Sequence, residues 1–164
     1  MEPSRINNIE LARIVARDPV HWPAFGFGFG LMPFAPGTWG SLPGIAIWWF
    51  LPKEPYVQAA AAVLMLLAGI WICGESARRI GVHDHGGIVW DEIVGMFLTL
   101  LVIPQDPVWV VGAFIAFRVA DIWKPWPIRE LDHRLHGGLG IMLDDVMAAV
   151  YAALILLFLQ RILL

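Results

Sequence analysis

The chain has 164 residues, 59% of them hydrophobic and only 15% charged, with a mean hydropathy of +0.68. Soluble domains run nearer half apolar and a quarter charged, so this composition reads as one membrane domain. The net charge of −3 offers no basic footprint for a nucleic acid, and a lone cysteine excludes both an intramolecular disulfide and a CxxC metal site.

Residues 1–20 lack the continuous apolar core of a secretory signal. Ile6, Ile9, Ile14 and Val15 fall near helical spacing with charges between them, and Pro19 ends the run. The segment reads as an amphipathic helix, lying either at a membrane interface or against the rest of the protein. The next stretch, FGFGFGLMPFAPGTWGSLPG (residues 25–44), is broken by Gly and Pro and is expected to be a re-entrant or surface loop.

Apolar runs follow. Residues 42–51 give about half of the roughly 20 residues that a straight span needs. Residues 56–74 are full length and uncharged, and Cys73 within them reads as a buried small hydrophobe. Residues 88–103 carry Asp91 and Glu92 near their start, residues 108–123 carry Arg118 and Asp121, and residues 146–164 are apolar apart from Gln160 and Arg161. The fold class expected is an all-α polytopic membrane bundle of four to five segments over residues 21–164, after an interfacial helix in residues 1–20. With a cytoplasmic N-terminus and five spans, nine of the eleven basic residues fall on the cytoplasmic side: Arg5, Arg13, Arg17, Arg78, Arg79, Arg118, Lys124, Arg129 and Arg134. Only Lys53 and Arg161 fall outside, as the positive-inside rule requires.

That topology puts Asp84, Asp91, Glu92, Asp121, Asp144 and Asp145 at the cytoplasmic ends of membrane segments. Like charges in a poorly solvated place repel unless a cation sits between them. Hard divalent cations take oxygen ligands, and Mg²⁺ commonly combines carboxylates with waters and substrate phosphate. Carboxylates beside Arg118 and Lys124 are therefore what a Mg²⁺-assisted phosphoryl site needs. Each piece has a plainer reading. Asp91 and Glu92 suit a helix N-terminus. Arg118 and Asp121 make an i, i+3 pair. Asp144 or Asp145 could be the N-cap of the last helix. Acid at three helix ends on one face is what the plain readings leave unexplained.

The glycine-rich PFAPGTWGS offers backbone N–H groups with the hydroxyls of Thr38 and Ser41, a weak anion-binding signal without the P-loop pattern. His83 and His85 flank Asp84, and His133 and His136 are three apart; both pairs read as polar loop or interfacial residues before metal ligands. The two Pro in KPWPI stop the fourth span, with Trp123 and Trp126 at aromatic-belt depth. A site there suits an amphiphile, its tails in lipid and its head at the acids.

Four stretches, MPFAPGTWGS, IVWDEIVGM, FRVADIWKPWPI and HGGLGIMLDD, together resemble the phosphatidylglycerophosphatase A family in order and spacing, from Met32 to Asp145. The resemblance implies a bacterial inner-membrane lipid phosphatase that removes the terminal phosphate of phosphatidylglycerophosphate with Mg²⁺ at the cytoplasmic face. On this reading Asp91, Glu92, Asp121 and Asp145 hold the metal, with Asp144 and Asp84 as further candidates for it. Arg118 and Lys124 bind phosphate, helped by Thr38 and Ser41. No DxDx[TV] or cysteine phosphatase signature is present, which favours direct attack by water over an aspartyl-phosphate. An ion or small-solute transporter is the rival class, although residues 56–74 carry no charge to build a path across the bilayer.

Overall fold

The structure, a computed structural model, describes residues 8–82, 85–126, 128 and 137–163. Within them every regular element is helical. The elements are α1 (Asn8–Arg17), α2 (His21–Ala24), a 3-10 segment (Gly26–Leu31), α3 (Pro36–Phe50), α4 (Pro55–Ile80), α5 (Trp90–Leu100), α6 (Pro107–Trp123) and α7 (Gly137–Leu163).

The helix ends follow local chemistry. Pro36, Pro55 and Pro107 each occupy a first turn, where an N–H would have no partner. Asp106 caps α6 by accepting from the Val108 and Trp109 amides at 2.9 and 3.4 Å. Gly81 ends α4 in the left-handed conformation, its N–H donating to Ala77 at 2.9 Å. Lys124 ends α6 the same way, with Pro125 next.

Two boundaries correct the sequence reading. The expected loop over residues 25–44 contains the 3-10 segment and the first turns of α3, with Pro43 inside that helix. Its glycines are tolerated because they form a packing face. A Cβ on Gly40 would strike the Val89 side chain, and one on Gly44 the Ile93 carbonyl, so α3 lies directly against α5. The last helix begins at Gly137 rather than near Asp144, so Asp144 and Asp145 are its eighth and ninth residues and neither is an N-cap. Gly138 lets α7 cross α4 at the Ile70 carbonyl, and Gly69 receives the Met142 thioether.

α4 and α7, of 26 and 27 residues, are long and apolar enough to cross a membrane. α3 and α5 have 15 and 11 residues, too few for a straight crossing, and α6, with 17, stands at the lower limit. Cross-helix contacts fix the directions. Lys124 at the end of α6 meets Asp144 near the start of α7, while Gln160 at the end of α7 donates to Val102 just past α5. One end of the bundle therefore gathers the start of α5, the end of α6 and the start of α7. The other is closed by side chains that satisfy backbone carbonyls: Lys53 on Trp48, Gln58 on Pro52 and Gln105 on Trp49.

The N-terminal segment is amphipathic as expected, and Leu11 and Val15 form its buried stripe while Ile9 stays exposed. α2 is tied to α4 through His21, fully buried, whose Nδ1 lies 2.8 Å from Ser76 Oγ. Burial pushes the His21 pKa down, so the ring is neutral. The Ala24 carbonyl then accepts from the Val89 N–H at 2.8 Å, anchoring the residue that opens α5.

The α4–α7 contact predicts a sharp contrast between two glycines. Gly138→Ala places a methyl on the Ile70 carbonyl and should cost about 1–3 kcal/mol or more. Gly112→Ala finds its nearest neighbour, a Leu156 methyl, at 4.0 Å and should be near neutral. Thermal unfolding in detergent distinguishes the two; equal midpoints would refute the contact.

Candidate metal and phosphate site

Three helices bring acids to one point. Asp91 and Glu92 sit in the first turn of α5, where free amides and the helix dipole favour negative charge. Asp121 lies near the end of α6, and Asp144 and Asp145 lie two turns inside α7, both buried. One carboxylate oxygen from each of Asp91, Glu92 and Asp145 falls within 4.8 Å of the others. These side chains and Asp121, Lys124, Asp144, Gly86, Ile88 and Ile141 line a cavity of about 120 Å³.

Two cations stand among the acids. Arg118 Nη1 is 2.6 Å from Asp121 Oδ2 and 4.0 Å from Glu92 Oε1, and Lys124 Nζ is 2.7 Å from Asp144 Oδ2. The i, i+3 pair read from the sequence thus exists, and Arg118 additionally reaches across to α5. Five carboxylates and two cations thus meet at one small cavity.

The donor set suits a hard divalent cation. It consists of oxygens alone, and Glu92 Oε2 and Asp145 Oδ2 are buried with no hydrogen-bond donor among the described residues. Asp91, Glu92 and Asp145 are the residues that would hold a Mg²⁺-sized ion, which when bound would offset the repulsion between them.

The other sequence candidates fall apart spatially. Ser41 is fully buried and donates to the Gly37 carbonyl at 2.8 Å, inside its own helix. Thr38 is half-buried, and neither hydroxyl is among the residues lining the cavity. What the loop does contribute is Gly37: a Cβ there would collide with Glu92 Oε1 and come within 3.0–3.1 Å of the Arg118 guanidinium. Its signal in the sequence is Pro-Gly-Thr opening a helix, where the glycine allows close backbone approach. Asp84, His83, His133 and His136 lie outside the described residues. His85 accepts from the Gly87 N–H at 3.1 Å and packs on Phe25, as a loop residue does.

The repulsion within the cluster is measurable without turnover. Asp145→Asn should raise the thermal midpoint in EDTA, by about 2–4 °C for each kcal/mol relieved in a chain of this size. The same variant should lose the stabilisation that Mg²⁺ gives the wild type. A variant that is less stable in EDTA, with Mg²⁺ stabilisation intact, would refute the cation assignment.

The family comparison bears on this geometry. A family model described as phosphatidylglycerophosphatase A matches residues 22–160. Phosphatidylglycerophosphatase A of Escherichia coli (strain K12) is 45% identical over 156 residues, covering 94% of this chain and 91% of that protein. The protein of the same name from Haemophilus influenzae is 44% identical over 156 residues, covering 93% and 96%. A Bacteroides thetaiotaomicron relative, described as a candidate phosphatidylinositol-3-phosphatase, is 39% identical over 140 residues, covering 80% and 87%. No solved structure matches the chain. The acid-lined end of the bundle lies wholly within the matched segment, and the chain belongs to the phosphatidylglycerophosphatase A family of phosphatases.

Proposed function

We propose that this enzyme hydrolyses the terminal phosphate monoester of phosphatidylglycerophosphate, releasing phosphatidylglycerol and inorganic phosphate, at the cytoplasmic face of a bacterial inner membrane. The observation that carries the reading is the convergence of Asp91, Glu92, Asp121, Asp144 and Asp145 with Arg118 and Lys124 at one end of an apolar helical bundle. The family's named members supply the substrate. Membership of a phosphatase family gives the transporter reading nothing to stand on.

Orientation and span number are part of the same proposal. α3, α4, α5, α6 and α7 alternate in direction, and the basic residues crowd the acid end, which favours a cytoplasmic site and five membrane segments. The short α3 and α5 would reach only about 22 and 16 Å at 1.5 Å per residue, so they cross by combining with flanking loops packed in protein.

Asp91, Glu92, Asp121 and Asp145 would hold Mg²⁺, which when bound supplies Lewis-acid polarisation of the phosphoryl oxygens. The remaining work falls to this chain's own groups. Arg118, fixed by Asp121, presents its free N–H groups to the phosphate, as a planar fork matches phosphate oxygens. Lys124 adds a second positive charge where charge accumulates on the leaving oxygen. Asp144, outside the proposed metal set, takes the proton of the attacking water. Gly37 lets the first turn of α3 close the wall beside Glu92 and Arg118 without displacing either. The described residues lining the cavity include no Ser, Thr or Cys, so a covalent route would have to use one of its aspartates; direct attack by water is the reading favoured here, and trapping an aspartyl-phosphate would reverse it.

Phosphate release from phosphatidylglycerophosphate by purified protein tests the proposal, with Mg²⁺ or EDTA, and with phosphatidic acid and phosphatidylinositol 3-phosphate as comparison substrates. Release should need Mg²⁺ and prefer phosphatidylglycerophosphate. Arg118→Ala should lower kcat by about 10²–10³, the usual loss for one preorganised charge-stabilising donor. Preference for phosphatidylinositol 3-phosphate would move the substrate assignment to that lipid, and release insensitive to EDTA would remove the metal.

A further inference from the structure

The 3-10 segment presents one aromatic ring in an unusual way. Phe27 sits in the left-handed region at φ 56°, between Gly26 at 55° and Gly28 at 109°, and its side chain is 73% exposed. A bulky residue holds that conformation only where its surroundings impose it. Gly26 and Gly30 are pinned here. A Cβ on Gly26 would lie 2.8 Å from a Val89 methyl, and Gly30 rests on the Gly87 carbonyl. With Gly26 and Gly30 held against the entry to α5 and Gly28 in open space, the Phe27 ring is left exposed.

Beside the ring runs a groove of about 330 Å³ between α1 and the 3-10 segment, within the usual size of a ligand pocket. Ala12, Val15, Ala16, Trp22, Phe27 and Leu31 line it, together with Gly28, and none offers a charge or a hydroxyl. Such a wall repels ions and headgroups and accepts hydrocarbon. Packed backbone links the groove to the acid cavity: Leu31 lines the groove and Gly30 precedes it in sequence. Ala24 bonds Val89 at the start of α5, Gly30 packs on Gly87, and Gly86 next to it lines the cavity.

We propose that this groove is an acyl-chain site, holding one hydrocarbon chain of the phospholipid whose head enters the acid cavity. The inference rests on the lipid-phosphatase reading and assigns the apolar half of the same substrate. The exposed Phe27 and Trp22 form its lips at the membrane surface. A chain held there makes binding depend on acyl length, while the chemistry at the acids does not.

Two variants and two readouts test it. Phe27→Gly removes the ring and relieves the backbone, so folding is not at risk; Ala16→Trp fills the groove from an exposed position. Each should raise KM for a dioleoyl substrate about tenfold, equivalent to ~1.4 kcal/mol, and leave kcat/KM for a dihexanoyl substrate unchanged. Equal losses on both substrates, or no loss on either, would overturn the proposal. Independently of turnover, a phospholipid with a photoactivatable acyl chain should label residues 12–31 of the wild type, and unlabelled phosphatidylglycerophosphate should compete. Labelling confined to other segments, or not displaced by that competitor, would refute the substrate-chain assignment. Displaceable labelling without phosphate release from any lipid would keep the groove and sink the phosphatase reading.

Discussion

Mutual repulsion of carboxylates in a poorly solvated cavity is the constraint around which this bundle is organised. Bringing Asp91, Glu92 and Asp145 to within 4.8 Å on two helices, with Asp121 on a third, requires helix backbones to approach closely at that level. Glycines provide the approach. Gly37 abuts Glu92, and Gly95 faces Asp145 and the Phe117 ring. Gly69 and Gly138 bring α4 against α7 around Met142, three residues before Asp145. A bilayer supplies no hydrophobic drive for helices to associate, so close small-residue contacts are also what holds them together. The same glycines therefore serve cohesion and charge concentration.

The two ends of the bundle solve the problem of polar groups differently. Away from the acids, neutral amides on Gln58, Gln105 and Gln160 each donate to a backbone carbonyl, and Lys53 does so while lying 3.8 Å from the Trp48 ring centre. Every such contact satisfies a helix end. At the acid end Arg118 and Lys124 are instead held by Asp121 and Asp144, which orients them without neutralising the cluster. An arrangement that keeps net negative charge in reserve is destabilising by itself and makes sense where a cation and a phosphate are to be bound.

Most of the acid site was legible in the sequence because charge inside apolar runs is conspicuous: Asp91, Glu92, Arg118, Asp121, Lys124, Asp144 and Asp145 all stand out. The helices around them were less legible for a physical reason. Gly and Pro read as breakers on local propensity, yet α3 carries Gly37, Gly40, Gly44 and Pro43, and α7 opens on Gly137, Gly138 and Gly140. In these helices tertiary packing, which propensity does not see, decides the outcome. In the same stretch the sequence drew attention to the hydroxyls of Thr38 and Ser41, and the structure adds the glycine between Pro36 and Thr38, which abuts Glu92 and Arg118. The N-terminal helix was legible by its period, though among the described residues the buried stripe is Leu11 and Val15, with Ile9 exposed.

The route from the N-terminal segment to the acids shows why that segment belongs to the catalytic unit. His21 bonds Ser76 on α4, Ala24 bonds Val89 at the head of α5, and Asp91 and Glu92 follow within three residues. Asp18 reaches the same helix through Arg79 at 2.6 Å, a contact that holds its carboxyl below the ordinary range. Since a buried neutral histidine and an exposed ion pair both clamp α2 to α4, the first turn of α5 inherits its position from elements outside the long apolar helices. A lipid that meets α1 and the 3-10 segment first therefore meets the part of the fold that sets where two of the acids stand. Surface recognition and charge placement are mechanically one structure, which is the arrangement an enzyme working on a membrane-bound headgroup requires.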